Sequence, residues 1–264
     1  MKPDLIINGA AGRMGRRILA LAVESGQFNI VGAVETPGHP DLDKDAGIIA
    51  GVGQIGLTID SAIPASANVL IDFSLPDATD SVLRHCVDHN IALVLGTTGL
   101  SATQIAAVKN AAKKIPLVQS TNMSVGMNIL FSIVGKVAAM AGAEYDIEIV
   151  EAHHRFKKDA PSGSALSLAE KIAAATGRTF PECLVHGRSG ADALRQKGTI
   201  GMHAIRAGDI TGEHSVILST LGETLTLSHS AHNRDNFVRG ALRAAVWLAV
   251  RPPGLYSMQD VLGL

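Results

Sequence analysis

Short apolar runs alternate with stretches of helical periodicity through the first half of this 264-residue chain. The runs Leu5 to Asn8, Ile30 to Val34, Val69 to Phe73, Leu93 to Leu95 and Leu117 to Gln119 predict strands. Between them, apolar residues three and four apart predict helices: Ile18, Leu21 and Ala22, then Ile105, Val108 and Ala112. Strands and helices in alternation build a parallel sheet with crossover helices on its faces, a doubly wound α/β layout.

Beyond about residue 124 the pattern changes. A helical run, Met127 to Ala141, leads into a strand, Asp146 to Glu151, and a further helix opens after Pro161. From Thr199 to His232 three strands are predicted, with Leu225 and Leu227 alternating against Thr224, Thr226 and Ser228, and a turn at Gly222-Glu223. Such a run suggests an open mixed sheet. A last helix, roughly Asn236 to Val250, carries Val238, Leu242, Ala245, Val246 and Ala249 at helical spacing and is closed by Pro252-Pro253. It is expected to return to the first domain.

Composition narrows the function. Lys and Arg number 23 against 24 Asp and Glu, a net charge of -1, which argues against wholesale binding of a phosphate backbone. Aromatic residues are only 3%, so base-stacking nucleic-acid modules lack their main tool and the core must be aliphatic. No apolar run reaches membrane-spanning length, and no membrane partner is expected. The N-terminus runs from Met1-Lys2-Pro3-Asp4 directly into a short strand, without the apolar core of a secretory signal. Cys86 and Cys183 lie too far apart for a paired-cysteine motif and are expected as buried, reduced thiols, so a cytoplasmic location is the simplest expectation.

The first strand ends in Gly9-Ala10-Ala11-Gly12-Arg13-Met14-Gly15, with a helix expected from Arg16 to Glu24. Glycines there permit a tight turn and let backbone amides approach a pyrophosphate at the positive end of a helix dipole. Glu35, at the end of the second strand and 20 residues beyond Gly15, is placed to accept hydrogen bonds from the adenine ribose hydroxyls. Together these features predict a Rossmann-type site for a nicotinamide dinucleotide. Thr36 stands where a 2′-phosphate would want a cation, so NADH is expected to serve at least as well as NADPH, with Arg13, Arg16 or Arg17 able to supply charge from the loop side. Gly96-Thr97-Thr98-Gly99 and Ser120-Thr121-Asn122-Met123 follow the fourth and fifth strands, at the edge where ligands of such sheets bind.

The densest chemistry lies between Glu151 and Ala165, where His153, His154, Arg155, Lys157 and Lys158 precede Asp159-Ala160-Pro161-Ser162-Gly163-Ser164 and an amphipathic helix with Ala165, Leu168, Ala169 and Ile172 on one face. Backbone amides at a helix start, plus lysine, suit a small carboxylate. A histidine titrating near neutrality suits the proton that accompanies a hydride. A solvated basic patch carries the same signature in isolation. Adjacent histidines without a third ligand make poor zinc geometry, and no metal is expected.

In order along essentially the whole chain, the Gly9 to Gly15 loop, Gly96 to Gly99, Asn122-Met123-Ser124-Val125-Gly126, the Glu151 to Ala165 block, Gly198-Thr199-Ile200-Gly201 and Arg206-Ala207-Gly208-Asp209 match one family. The sequence closely resembles the 4-hydroxy-tetrahydrodipicolinate reductases, historically dihydrodipicolinate reductases. The resemblance implies hydride transfer from NAD(P)H to a cyclic imine dicarboxylate in diaminopimelate and lysine synthesis. It implies His153 as proton donor and acceptor, Lys157 as second proton donor, His154 as a substrate contact, and Gly163 with Ser164 as the carboxylate-binding pair. Ser164 replaces the family's usual threonine and keeps the hydroxyl. The implied cofactor contacts are Gly9, Ala10, Ala11, Gly12, Arg13, Met14, Glu35, Gly96, Thr97, Thr98, Ser120, Thr121, Asn122 and Met123. Thr36 departs from the arginine of some members. Residues 1 to 124 with 235 to 264 are implied as the cofactor domain, and 125 to 234 as an inserted α+β domain for substrate and for homotetramer assembly through strands 199 to 232. Rival readings are another imine or amino-acid dehydrogenase on this scaffold, and a non-catalytic NAD-binding regulatory protein.

Overall fold

A computed structural model describes residues 2–264. Contacts divide the chain into two units, one running to Val125 and resuming over Arg234–Gly263, the other spanning Gly126–Asn233.

The first unit contains β1 (Asp4–Asn8), α1 (Arg13–Ser25), β2 (Asn29–Val34), α2 (Ala46–Ala50), β3 (Ile59–Asp60), β4 (Val69–Asp72), α3 (Thr79–Asp88), β5 (Ala92–Leu95), α4 (Ala102–Ala111) and β6 (Pro116–Gln119). With a strand at Gly254–Tyr256 they form a seven-stranded sheet in the order Gly254–Tyr256, β6, β5, β4, β1, β2, β3. Every pairing in it is parallel. The chain order reverses between β1 and β4, which places the topological switch at the carboxyl ends of those two strands. Leu5, Ile6, Ile7, Val69, Leu70, Ile71, Leu93, Val94 and Leu95 are fully buried, as expected of parallel strands covered on both faces. The helix Asp235–Leu248 packs on α1, where Arg17 grips Asp235 through Nε and Nη2 at 2.9 and 2.7 Å.

The second unit has a five-stranded mixed sheet ordered β11, β10, β7, β9, β8, built from β7 (Asp146–His153), β8 (Leu184–His186), β9 (Ile200–Arg206), β10 (Gly212–Thr220) and β11 (Glu223–Ala231). The strands β7, β8 and β9 run parallel, while β10 is antiparallel to β7 and β11. Two helices, α5 (Val125–Ala141) and α6 (Gly163–Thr176), cover one face. Ile147, Ile149, Ile200, Met202, Val216 and Leu218 from the strands meet Val134, Leu168 and Ile172 from the helices in a single core.

Several expectations are corrected. Helix α1 begins at Arg13 rather than Arg16, because Gly15 has no Cβ: one would strike the Gly9 carbonyl, so the helix winds on through the glycine loop. The last long helix stops at Leu248 rather than Val250, Val246 on it is 41% exposed, and the chain beyond Pro252-Pro253 adds an edge strand. The β10–β11 turn falls on Leu221-Gly222, one residue early, with Gly222 at φ +108. Cys86 is buried and its thiol is pushed up to about 12, chiefly by burial, but Cys183 is partly exposed rather than buried; both are free. The strands β3, β8 and Gly254–Tyr256 were not predicted, each being too short to show a period of two.

Candidate active site

In the first unit the implied cofactor residues gather at the carboxyl ends of β1, β2, β5 and β6. Gly9, in the left-handed region at φ +75, turns the chain after β1, and its amide and that of Ala10 bond the Val34 carbonyl at 2.9 Å. Ala10 and Ala11 are buried; Gly12 and Arg13 are exposed. Gly12 caps α1 without a side-chain hydrogen bond and no acidic residue sits in the first turn, so the opening amides of this helix present positive charge. That is the cradle a pyrophosphate requires, and the residues present fit a dinucleotide. Glu35 Oε2 accepts from the Ala11 amide at 3.1 Å and Oε1 from the Thr36 amide at 2.9 Å. Of the nearby cations, Arg16 is bound to Asp41 at 2.9 Å and Arg17 to Asp235.

The switch point carries a polar knot that the sequence did not announce. Asp72, fully buried at the end of β4, accepts from Asn8 Nδ2 at 2.7 Å, Thr97 Oγ1 at 2.9 Å and the Ser74 amide at 3.2 Å. The Thr97 hydroxyl is thereby used within the fold, whereas Thr98 is exposed. Gly96 accommodates the Phe73 ring, which a Cβ would strike. Ser120 Oγ donates to the Asn122 carbonyl at 2.8 Å, and Asn122 Oδ1 accepts the Ser124 amide at 2.9 Å, shaping the turn after β6. The Met123 side chain is in the core.

In the second unit the chemistry collects where β7 ends and α6 begins. Strand β7 runs two residues past the expected Glu151, and this brings Glu151 and His153 onto one face. Glu151, 1% exposed, takes a fork from Arg206 at 2.7 and 2.8 Å, the Ser162 amide at 3.0 Å and His153 Nδ1 at 2.6 Å. Burial alone would raise its carboxyl, but Arg206, His153 and the Ser162 amide together hold it below the usual range. Burial, with Lys157 and Arg206 nearby, lowers His153 despite the opposing pull of Glu151. Lys157 pairs with Asp159 at 2.8 Å.

Ser162 caps α6 by accepting the Ala165 amide at 3.2 Å, and its Oγ meets His214 Nε2 at 3.0 Å. The first two amides of α6, from Gly163 and Ser164, have no acceptor within the helix, and a Cβ on Gly163 would meet nothing within 4 Å. His214 is buried and pushed down to about 4, first by burial, and its ring meets that of His153 edge-on at 5.2 Å. Among the described residues no group of three His, Cys, Asp or Glu is arranged to hold a metal, and no helix is long and apolar enough to cross a membrane.

Four of these partners have no role that the sequence alone assigns. Glu151 was detectable, since residues i and i+2 of a strand share a face. The signal for Ser162 was its position before a helix-forming run. His214 has no local signal and Arg206 none beyond the Arg206-Ala207-Gly208-Asp209 match: they arrive from β9 and β10, where Arg206 stands in register with His153.

Two family models match the chain, dihydrodipicolinate reductase N-terminus over residues 4–123 and C-terminus over 126–262. The chain belongs to the dihydrodipicolinate reductase family. A 4-hydroxy-tetrahydrodipicolinate reductase of Alkalilimnicola ehrlichii is 48% identical, covering 100% of both chains. One of Syntrophus aciditrophicus is 45% identical over 98% of this chain and 97% of its own. A dipicolinate-bound dihydrodipicolinate reductase from Paenisporosarcina sp. TG-14 shares the fold with a TM-score of 0.72, at 21% identity over 98% and 99% of the two chains. The family is one of oxidoreductases that use a nicotinamide dinucleotide.

Proposed function

We propose that this chain reduces 4-hydroxy-tetrahydrodipicolinate in diaminopimelate and lysine biosynthesis: substrate, NAD(P)H and a proton give tetrahydrodipicolinate, NAD(P)+ and water. The observation that carries the reading is the second unit's cluster, in which one short segment supplies His153, His154, Lys157 and the start of α6 at Gly163. NAD(P)H supplies the hydride. The amides of Gly163 and Ser164 and the Ser164 hydroxyl bind a substrate carboxylate, His154 contacts substrate, and His153 and Lys157 manage the proton. Gly9 to Met14, Glu35, Gly96 to Thr98 and Ser120 to Met123 hold the cofactor, Thr97 through its backbone.

NADH serves at least as well as NADPH on this reading, supported by Thr36 beside Glu35 and by the prior engagement of Arg16 and Arg17 in ion pairs. The enzyme works in the cytoplasm as a homotetramer. Assembly through the second unit's sheet is supported by the face turned away from α5 and α6, where Val150, Ile205 and Ile217 are not buried.

Oxidation of NADH, then of NADPH, with freshly made product of the preceding synthase tests the function. Turnover with at least one cofactor, and none on simple imino acids, is expected; absence of turnover with both overturns the reading.

A further inference from the structure

Every donor around Glu151 is arranged so that its carboxylate can only accept. Oε1 takes Arg206 Nη2 and the Ser162 amide, and Oε2 takes Arg206 Nη1 and His153 Nδ1. A forked guanidinium keeps a buried carboxylate ionised, and an ionised carboxylate has no hydrogen to give. The hydrogen in the 2.6 Å contact therefore sits on His153 Nδ1. The other ring nitrogen, Nε2, lies against Gly212, where a side-chain carbon would stand 3.2 Å away. Arg206 is itself anchored, donating to the carbonyls of Ile205 at 2.7 Å and Asp159 at 2.6 Å.

We propose that Glu151 is a positioning residue for the reaction: anchored by Arg206, it fixes His153 as the Nδ1–H tautomer, so that His153 meets the substrate as an acceptor at Nε2. This rests on the reductase function above. The groups that bear on the ring are Glu151 on its own strand, Arg206 from β9, His214 from β10, and Lys157 from the following loop with its partner Asp159. Of these, Glu151 favours a charged ring while Lys157 and Arg206 oppose it. Glu151 thus orients His153 without making it a standing acid.

The test uses the full chain with 15N-labelled histidine. In the wild type, His153 is expected to show the Nδ1–H pattern in the absence of substrate. In Glu151→Gln that pattern is expected to become mixed, with kcat down tenfold or more and KM for NADH within twofold. Arg206→Lys, which keeps the charge and loses the fork, serves if Glu151→Gln does not fold; it is expected to lower kcat at unchanged KM for NADH and to weaken the tautomer preference. An Nε2–H wild type, or an unchanged tautomer in a folded variant, overturns the proposal. The tautomer is read without substrate, so failure of the proposal and failure of the reductase reading are separate results.

Discussion

Glu35 Oε2 accepts the Ala11 amide at 3.1 Å, so the acidic residue that follows β2 already touches the glycine turn that follows β1. On the proposed function, a carboxylate held there would accept from the ribose of a dinucleotide whose pyrophosphate rests on α1. Glu35→Ala is expected to weaken NADH about tenfold, the effect of one charge-assisted hydrogen bond of roughly 1.4 kcal/mol, and NADPH less, since the lost charge also repels a 2′-phosphate. Fluorescence titration of both cofactors measures the difference. Equal losses would count against the ribose role.

Gly15 and Gly163 are both glycines at a helix start, yet they answer to different constraints. A Cβ on Gly15 would run into the Gly9 carbonyl and the Ala10 backbone, neither of which can swing aside, whereas one on Gly163 meets open space. Gly15→Ala is expected to cost about 3 kcal/mol and lower Tm by roughly 5–10 °C. Gly163→Ala is expected to leave Tm within about 1 °C while raising KM for the dicarboxylate severalfold. Calorimetry with steady-state kinetics separates the two, and a fully stable Gly15→Ala would refute the packing argument.

His153→Ala and Lys157→Ala are each expected to lower kcat on the order of 10²-fold or more while leaving NADH affinity within about twofold. Stopped-flow turnover together with cofactor titration checks both halves of this expectation. Full turnover in either variant removes that residue from the proton chemistry.

Stability should fall in two stages on acidification. His214 is neutral in the fold, pushed down to about 4 from 6.5, so an unfolded chain binds the extra proton first and stability is lost as pH falls from about 6.5 to 4. Glu148 is held at about 2: burial raises it, but Arg188, His203 and Arg195 lower it further, so its contribution is present above about 4.5 and lost between there and 2. Urea melts across this range are expected to show both stages. Glu148→Gln should shrink the lower one, to which Glu151 also contributes, and leave the upper; a pH-independent wild type would contradict both assignments.

Much of this protein is set by local pattern. Fully buried parallel strands must be apolar on both faces, so β1, β4 and β5 stand out as continuous runs, and the glycine spacing after β1 with Glu35 after β2 follows from what a pyrophosphate and a ribose need. The block from Glu151 to Ala165 contains its histidines, its lysines and its helix start within one segment, so the family was legible in the sequence and the candidate site could be located there. Tertiary structure decided what surrounds those groups. Arg206 and His214 reach Glu151 and Ser162 only because β9 and β10 flank β7, and Asp72 is buried with Asn8 and Thr97 only because β1 and β4 are neighbours at the switch. Hydrogen bonds between side chains 25 to 64 residues apart leave no periodic trace in the chain, because the partner is chosen by strand order and register rather than by spacing.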